Sequence, residues 1–502
     1  MFTKFFRNIH KFLGIPLSLV FVIWFLSGIV MVFTSDFPRA PRIDPAATPL
    51  KGDILLLDSL VASSLNAEDT PNSIIFSGRK DKILVTINSK DTCVVLDAIT
   101  GEPYEAENLT PTDVAKMYCD APISRIDTLE KVDQWIPFER YEKSMPIYKF
   151  YYGNPQQTQL YVTSSNEFIQ ITDKSHRIKA WFSTIPHWIY FTALRKHQKA
   201  WTETVIWAAL LGCLMCVAGI IVAIIDWWHH ARRAGLFSIP YRKRLWRWHF
   251  ILGILFGWCC ITFAFSGYMS MAPLPKFLIK ERMSVYDSKA ESAQCEGRKP
   301  RFRREGHNTM APIENYSLSP ADIIASSDSV IKISLKSWNG YPYYTVTYPS
   351  STRNIDATHK DMRDFVLTTD LVARSVVKKF PDTNPILTIV EGYDSEYYPR
   401  KGRTLPLPGI KVEYQGDELN TVEYYDPNGL GVRFYDDNSR LHDMLYGKLH
   451  RLSFKILTDY SWLWYTVMLL LLLGGTSLSV TGMVMAVQWI IRKLYGLKSK
   501  MK

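Results

Sequence analysis

HKFLGIPLSLVFVIWFLSGIVM, residues 10–31, returns in altered form as HFILGILFGWCCITFAFSGYMS, residues 249–270. In each copy a histidine opens an apolar run, with Leu-Gly at i+3 and i+4 (Leu13-Gly14, Leu252-Gly253) and a small residue at i+8 (Ser18, Gly257). Ser-Gly follows at i+17 and i+18 (Ser27-Gly28, Ser266-Gly267), and every pair lies 239 positions apart. One imidazole at the end of an apolar run says little. Two in the same setting imply an internal repeat that brings them face to face, the geometry of an axially ligated metal cofactor.

Working outward, four segments carry no charge: Phe12 to Thr34, Val205 to Ile225, Trp248 to Pro275 and Tyr460 to Ile491. Each exceeds the ~20 residues a helix needs to cross hydrocarbon, where only backbone bonded within a helix or a closed barrel survives. The expectation is four transmembrane helices. Lys4, Arg7 and Lys11 ahead of the first run would suit a cleaved signal peptide. The run is long for that role and recurs in mid-chain, so a retained anchor is expected.

Charge gives the expected orientation. Segments 1–11, 226–247 and 492–502 hold 14 Lys and Arg against the single acid Asp226. The positive-inside rule places them, and both termini, in the cytoplasm. The remainder of the chain carries 45 basic and 47 acidic residues, so the overall +11 is a topology signal and implies no nucleic acid. The expected order is a tail and first helix (1–35), a first outer domain (36–200), a second helix (201–228) and a cytoplasmic loop (229–246). A third helix (247–275), a second outer domain (276–459), a fourth helix (460–491) and a tail (492–502) complete it. The cytoplasmic segments are too short to build a nicotinamide or flavin domain.

Seven cysteines give no disulfide framework. Cys93, Cys119 and Cys295 fall in the outer segments at unrelated spacings, and Cys213, Cys216, Cys259 and Cys260 lie in membrane helices. Cys213-x-x-Cys216 reads as small apolar packing residues. No CxxCH occurs, which excludes the usual covalent attachment of a c-type haem.

Helices two and four are duplicated at a second offset, 263: His187 falls on His450, Phe191 on Phe454, Gly212 on Gly475, Gly219 on Gly482, Asp173 on Asp436 and Arg177 on Arg440. The chain therefore reads as two copies of helix, outer domain, helix. Both start on the same side, as parallel repeats about an axis along the membrane normal. The second outer domain is longer by about the difference of the offsets, which suits an insertion in an outer loop.

Both outer segments read as α+β. In the first, a helix is expected at Asp53 to Leu65 and another from Pro111. Strands are expected at Ser73 to Phe76, Lys82 to Ile87, Thr92 to Leu96, Ile147 to Tyr152, Gln159 to Val162 and Phe168 to Thr172. In the second, a helix is expected at Pro320 to Asp328. Its strands are Tyr343 to Thr347, Ile386 to Val390, Gly409 to Tyr414, Thr421 to Tyr425 and Val432 to Tyr435.

The strand and turn TCVVLDAITGEPYE, residues 92–105, with Asp97 and Thr100-Gly101, resembles a PepSY domain. The run LHRLSFKIL, residues 449–457, with His450, resembles the PepSY-associated transmembrane helix. The resemblance covers most of the chain, in the four-helix arrangement of iron-regulated membrane proteins and siderophore-type ferric reductases. It implies a membrane α-helical protein with two α+β PepSY-like extracytoplasmic domains. It also implies two non-covalent haem b groups and reduction of a ferric siderophore or other iron chelate on the outer side of the inner membrane. The chain departs from a uniform pattern twice: Ala218-Gly219 stands where the other helices have Ser-Gly or Thr-Gly, and the second outer domain keeps Asp436 but lacks the Thr-Gly turn.

The histidines carry the chemistry. His10, Gly14 and Ser18, like His249, Gly253 and Gly257, line one helix face, so each imidazole sits above a smooth stripe that could receive a flat macrocycle. The same small residues could serve helix packing, and the histidines could be interfacial. His187 and His450, on the outer side, would form a second site about 30 Å across the membrane from the first. His229 and His230 read as interfacial anchors and backup inner ligands; His197 and His442 as substrate-binding or substitute ligands. His176, His307 and His359 read as surface residues. The aromatic runs Ser337 to Pro349 and Glu391 to Arg403 could cradle an anionic chelate or pack as strands.

The leading expectation is an electron conduit, fed by quinol or a cytoplasmic donor, that ends in ferric-chelate reduction. No hydrolase or kinase motif occurs, and the apolar helices hold no charge that would suggest a proton pathway. The rivals are a binding or regulatory module for an extracytoplasmic peptidase or other partner, and a permease, for which these helices are poor material.

Overall fold

The computed structural model describes residues 2–34, 37, 47–64, 70–79, 82–89, 92–104, 110–236, 238–272, 274, 278–279, 310–379, 384–400, 405–414 and 419–498. His307, Cys295 and Lys401 to Arg403 lie outside them.

The uncharged runs form four long helices, Phe2–Phe33, Gln198–Ala234, Arg244–Met269 and Ser461–Lys498. The shortest has 26 residues, about 39 Å at 1.5 Å per residue, enough to cross the ~30 Å hydrocarbon layer. The chain is a multi-pass membrane protein. The helices form a ring in sequence order, each packing chiefly on two neighbours, so helices one and three face each other on a diagonal. Their shared core holds Leu17, Phe21, Phe25, Met215, Cys216, Cys260, Ala264 and Leu472. Lipid tails are as apolar as leucine, so close packing must hold such a ring together. Gly212 admits the ring of Phe21, and Gly475, 263 positions on, admits that of Phe25. Cys216 is buried in this core and Cys213 donates weakly to the Ile261 carbonyl, as packing residues would. At the basic end of the bundle, Arg7 pairs with both oxygens of Asp226 at 2.9 and 3.0 Å, and Tyr241 donates to the same carboxylate.

Fourteen strands build three antiparallel sheets among the described residues. β1 (Ser73–Arg79), β2 (Lys82–Asn88) and β3 (Cys93–Asp97) form a meander, as do β8 (Lys332–Trp338), β9 (Tyr341–Thr347) and β10 (Thr352–Asp356). Edge strands expose unpaired backbone donors and acceptors. Here β1 and β8 satisfy each other's, pairing Phe76 with Ile333 and Ser77 with Lys332, and the two meanders become one six-stranded sheet, β10-β9-β8-β1-β2-β3. One apolar core, with Phe76, Val85, Ile333 and Tyr344, runs beneath both halves. The two outer segments are thus joined through a common sheet.

Each outer segment then adds a helix (Pro111–Tyr118 or Thr369–Lys379) and a four-stranded meander. One comprises β4 (Ile123–Leu129), β5 (Ile147–Tyr152), β6 (Gln159–Thr163) and β7 (Phe168–Thr172). The other comprises β11 (Pro385–Val390), β12 (Gly409–Tyr414), β13 (Val422–Tyr425) and β14 (Val432–Tyr435). The expected strands form within a residue or two of their expected ends, except at Ser73, where the strand runs on to Arg79. Sequence patterning missed β4, β8, β10 and the helix Thr369–Lys379. The β4 run ISRIDTL is largely solvated: Arg125 and Asp127 share a face with Leu129, and Ile126 lies exposed on the other face with Thr128, so it lacks clean alternation. The turn of the first meander has a counterpart in the second: Asp97 Oδ1 accepts from the amide of Ile99, and Asp356 Oδ1 from that of Thr358, each 2 residues on. A carboxylate turn therefore exists without the Thr-Gly pair.

Candidate functional site

After β7 and β14 the chain returns to the bundle through a capped helix. Asp173 and Asp436 are the N-caps, accepting from the amides of His176 and Ser439. Arg177 reaches the Gln157 carbonyl at 2.7 Å and Arg440 the Asn420 carbonyl at 2.7 Å. Both acceptors have left-handed backbone, φ 47 and 49°. The described positions 263 apart thus perform the same local tasks.

The next turn carries the outer histidines. The helix Thr184–Trp188 ends at Ile189 with φ 54°, and Leu449–Arg451 ends at Leu452 with φ 48°. These left-handed residues stop the helix just after His187 and His450. Each stop is pinned by an indole: Trp201 Nε1 donates to the Trp188 carbonyl at 2.8 Å and Trp464 Nε1 to that of Arg451 at 2.9 Å. Both tryptophans lie 263 apart, so the second offset could have found them.

The two rings face each other, His187 and His450 having centroids 6.1 Å apart. At the other end of the bundle, His10 and His249 face across the diagonal at the same 6.1 Å. Two imidazole nitrogens at about 2 Å on opposite sides of one iron would put ring centroids about 6 Å apart. His187 leans on Ser27, 17 residues beyond His10 on the first helix, so the pairs are separated along the axis by about 25 Å at 1.5 Å per residue.

Each ring is oriented through Nδ1. His10 Nδ1 lies 2.8 Å from the Met215 carbonyl and His187 Nδ1 3.2 Å from that of Trp24. A carbonyl only accepts, so Nδ1 carries the proton and Nε2 the lone pair that could ligate a metal. His249 Nδ1 lies 2.9 Å from Thr481 Oγ1, whose own proton goes to the Leu478 carbonyl. His450 Nδ1 lies 3.0 Å from Ser266 Oγ, which donates to Phe263. Burial pushes the His187 imidazole down to about 4, in keeping with a neutral ring.

The small-residue pairs at the helix ends explain themselves here. Gly28, Gly219, Gly267 and Gly482 lie against His187, His10, His450 and His249 respectively. In each half of the chain, each of the two helices cradles the other's histidine. Ala218 offers no hydroxyl, and there the backbone carbonyl of Met215 serves. The stripe below the inner histidines is occupied differently from a macrocycle slot: Met215 approaches Gly14, Leu478 approaches Gly253 and Ile220 fills against Gly257. Those small residues serve helix packing.

Among the described residues no group of three or more His, Cys, Asp or Glu could hold a bare metal ion. The candidate centres are pairs, the number of axial positions an iron already bound by a porphyrin leaves open. Each pair supplies the two axial donors such an iron would need, while the stripe below the inner pair is filled by Met215, Leu478 and Ile220.

The remaining described histidines stand apart from both pairs, with one exception. His197 and His229 are exposed, and His230 lies at the basic end of helix two. His176 pairs with Asp173, and His359 with Asp356 and Arg363. His442 connects to the outer pair through Tyr446: the His442 and Tyr446 rings lie 6.0 Å apart, and Tyr446 stacks on His450 at 5.5 Å. A π-helical turn, Asp443–Lys448, sets that alignment, a backbone form often found at functional sites. Tyr398 and Arg400 hold the turn, donating to the Ser453 carbonyl and the Asp443 carboxylate. The aromatic runs mainly pack. Trp338, Tyr343, Tyr344, Tyr397 and Tyr398 are buried, Tyr343 stacked on Phe365 and Tyr397 on Tyr424.

Compared with known families, residues 7–492 match the model of the PepSY-associated TM region. No curated protein matches the chain significantly.

Proposed function

The chain belongs to the PepSY-associated transmembrane family, and from that premise we propose that it is a di-haem b electron conduit and ferric-chelate reductase, an oxidoreductase of the inner membrane. Both termini are cytoplasmic and the sheets periplasmic in this reading, and the two halves are copies of one plan. The observation that carries it is the pair of facing histidine couples, each at 6.1 Å, at opposite ends of the same helices.

Haem between each couple would supply a one-electron iron(III)/iron(II) change. The chain's task is positioning. Carbonyls and hydroxyls fix each ring at Nδ1, glycines admit the rings, and the apolar core between the couples excludes water. Tyr446 and His442 extend the outer couple towards the periplasmic side. There a siderophore or other chelate would present iron(III), a hard ion held by oxygen donors. Iron(II) binds such ligands less well, so one electron releases it for uptake. A peptidase-regulating module without redox activity would leave the four oriented histidines without a role.

An absorption spectrum of the purified protein before and after dithionite tests this. A Soret band with two haems per chain is expected; none under haem-replete expression refutes the proposal. His10→Ala and His249→Ala should each remove the same haem, and His187→Ala and His450→Ala the other.

A further inference from the structure

A cavity of about 620 Å³ opens sideways between helices three and four at the basic end of the bundle, lined by Arg244, Trp248, Leu252, Ser477, Thr481 and Gln488 among others. Its volume suits a small amphipathic molecule. Its wall is continuous with the inner histidine couple: Thr481, which lines it, holds His249 Nδ1 at 2.9 Å.

The polar lining belongs to one half only. Moved by the two offsets, Arg244 falls on Phe5, Trp248 on Ile9, Ser477 on Leu214, Thr481 on Ala218 and Gln488 on Ile225. Packing of the shared plan therefore does not require these polar groups; Thr476 and Thr481 donate to the Leu472 and Leu478 carbonyls and Gln488 Oε1 accepts from Arg492 at 3.4 Å, which leaves the remaining hydroxyl lone pairs and the Gln488 amide protons to a polar ligand in the groove. Ser477 Oγ gives its proton to the Leu473 carbonyl at 2.9 Å, which turns its oxygen into an acceptor for an incoming O–H.

We propose that this groove is a quinol site feeding the inner couple; it rests on the conduit reading above. A quinol reaches it through the lipid, with its ring between Trp248 and Thr481, one hydroxyl towards Ser477 and the other towards the Arg244 end of the groove. Each quinol breaks two O–H bonds and gives up two electrons, which a haem held by His10 and His249 would accept one at a time. The protons leave to water at the Arg244 end, quinone departs, and two ferric chelates are reduced outside.

The test uses the full-length protein in nanodiscs and a photoreactive azido analogue of decylubiquinone. Labelling is expected within residues 244–252 and 476–488. Ser477→Leu with Gln488→Ile, which installs the first half's residues, should lower labelling at least tenfold. It should also slow haem reduction by decylubiquinol while dithionite still reduces both haems. Leu214→Ser in the other half should change nothing. Labelling elsewhere, undiminished labelling in the double variant, or labelling displaced equally by phospholipid overturns the site. Labelling can be read in protein made without haem, so failure of the quinol site and failure of the conduit reading are separable.

Discussion

Replacing Gly219 by alanine asks whether His10 is held or free to swing. The added methyl would stand 2.6 Å from His10 Cε1 and 2.7 Å from Nδ1, whereas carbon atoms rest at about 3.5–4.0 Å. The ring must retreat by about 1 Å. Nδ1 now sits 2.8 Å from the Met215 carbonyl on that same helix, and the retreat stretches this bond past the ~3.2 Å limit of ordinary N–H···O geometry. Overpacking at about 1–3 kcal/mol and a lost hydrogen bond at about 1 kcal/mol give a cost of roughly 2–4 kcal/mol if the ring is fixed on both sides. A ring with no second anchor turns aside at little cost. The same change at the three related glycines is mild, because the methyl would meet His249 at 3.4 Å, His187 at 3.7 Å and His450 at 4.0 Å. Haem per chain and the thermal midpoint in detergent, measured for all four variants, decide the matter. Gly219→Ala should lose the inner haem and fall in midpoint, while Gly28→Ala, Gly267→Ala and Gly482→Ala keep two haems. Two haems and an unchanged midpoint in Gly219→Ala would refute the held ring.

Three further outcomes follow from the geometry. Ser77→Cys with Lys332→Cys should cross-link under mild oxidation, because opposed antiparallel positions bring Cα atoms within disulfide reach; Ser77→Cys with Ile333→Cys, one register off, should not, and equal cross-linking would dissolve the shared sheet. Trp201→Phe and Trp464→Phe each remove an indole donor to the turn behind an outer histidine, and should cost about 1 kcal/mol and shift the outer haem's midpoint potential while sparing the inner one. Tyr446→Leu removes the ring stacked on His450; stopped-flow reoxidation by a ferric chelate should slow several-fold with both haems retained, and an unchanged rate would remove Tyr446 from the path.

The four spans, the facing of His10 with His249 and of His187 with His450, and most outer strands were legible from the sequence. Long uncharged runs admit only one backbone solution in lipid, and duplicated residues at fixed offsets report duplicated surroundings. Alternation failed for β4, where Arg125 and Asp127 share a face with Leu129 while Ile126 is exposed on the other, and for Thr369–Lys379, whose helical pattern lies in a mostly polar stretch. Tertiary structure alone settled what the small residues do. The Ser-Gly and Thr-Gly pairs receive the imidazole of a neighbouring helix, and the glycines under the inner histidines receive packing side chains instead. It also decided that β1 and β8 close one sheet across the two halves, and that a π-turn aligns His442, Tyr446 and His450. Periodicity records which face of an element is apolar. Which partner fills that face depends on how distant segments cross, and no local pattern in the chain encodes that.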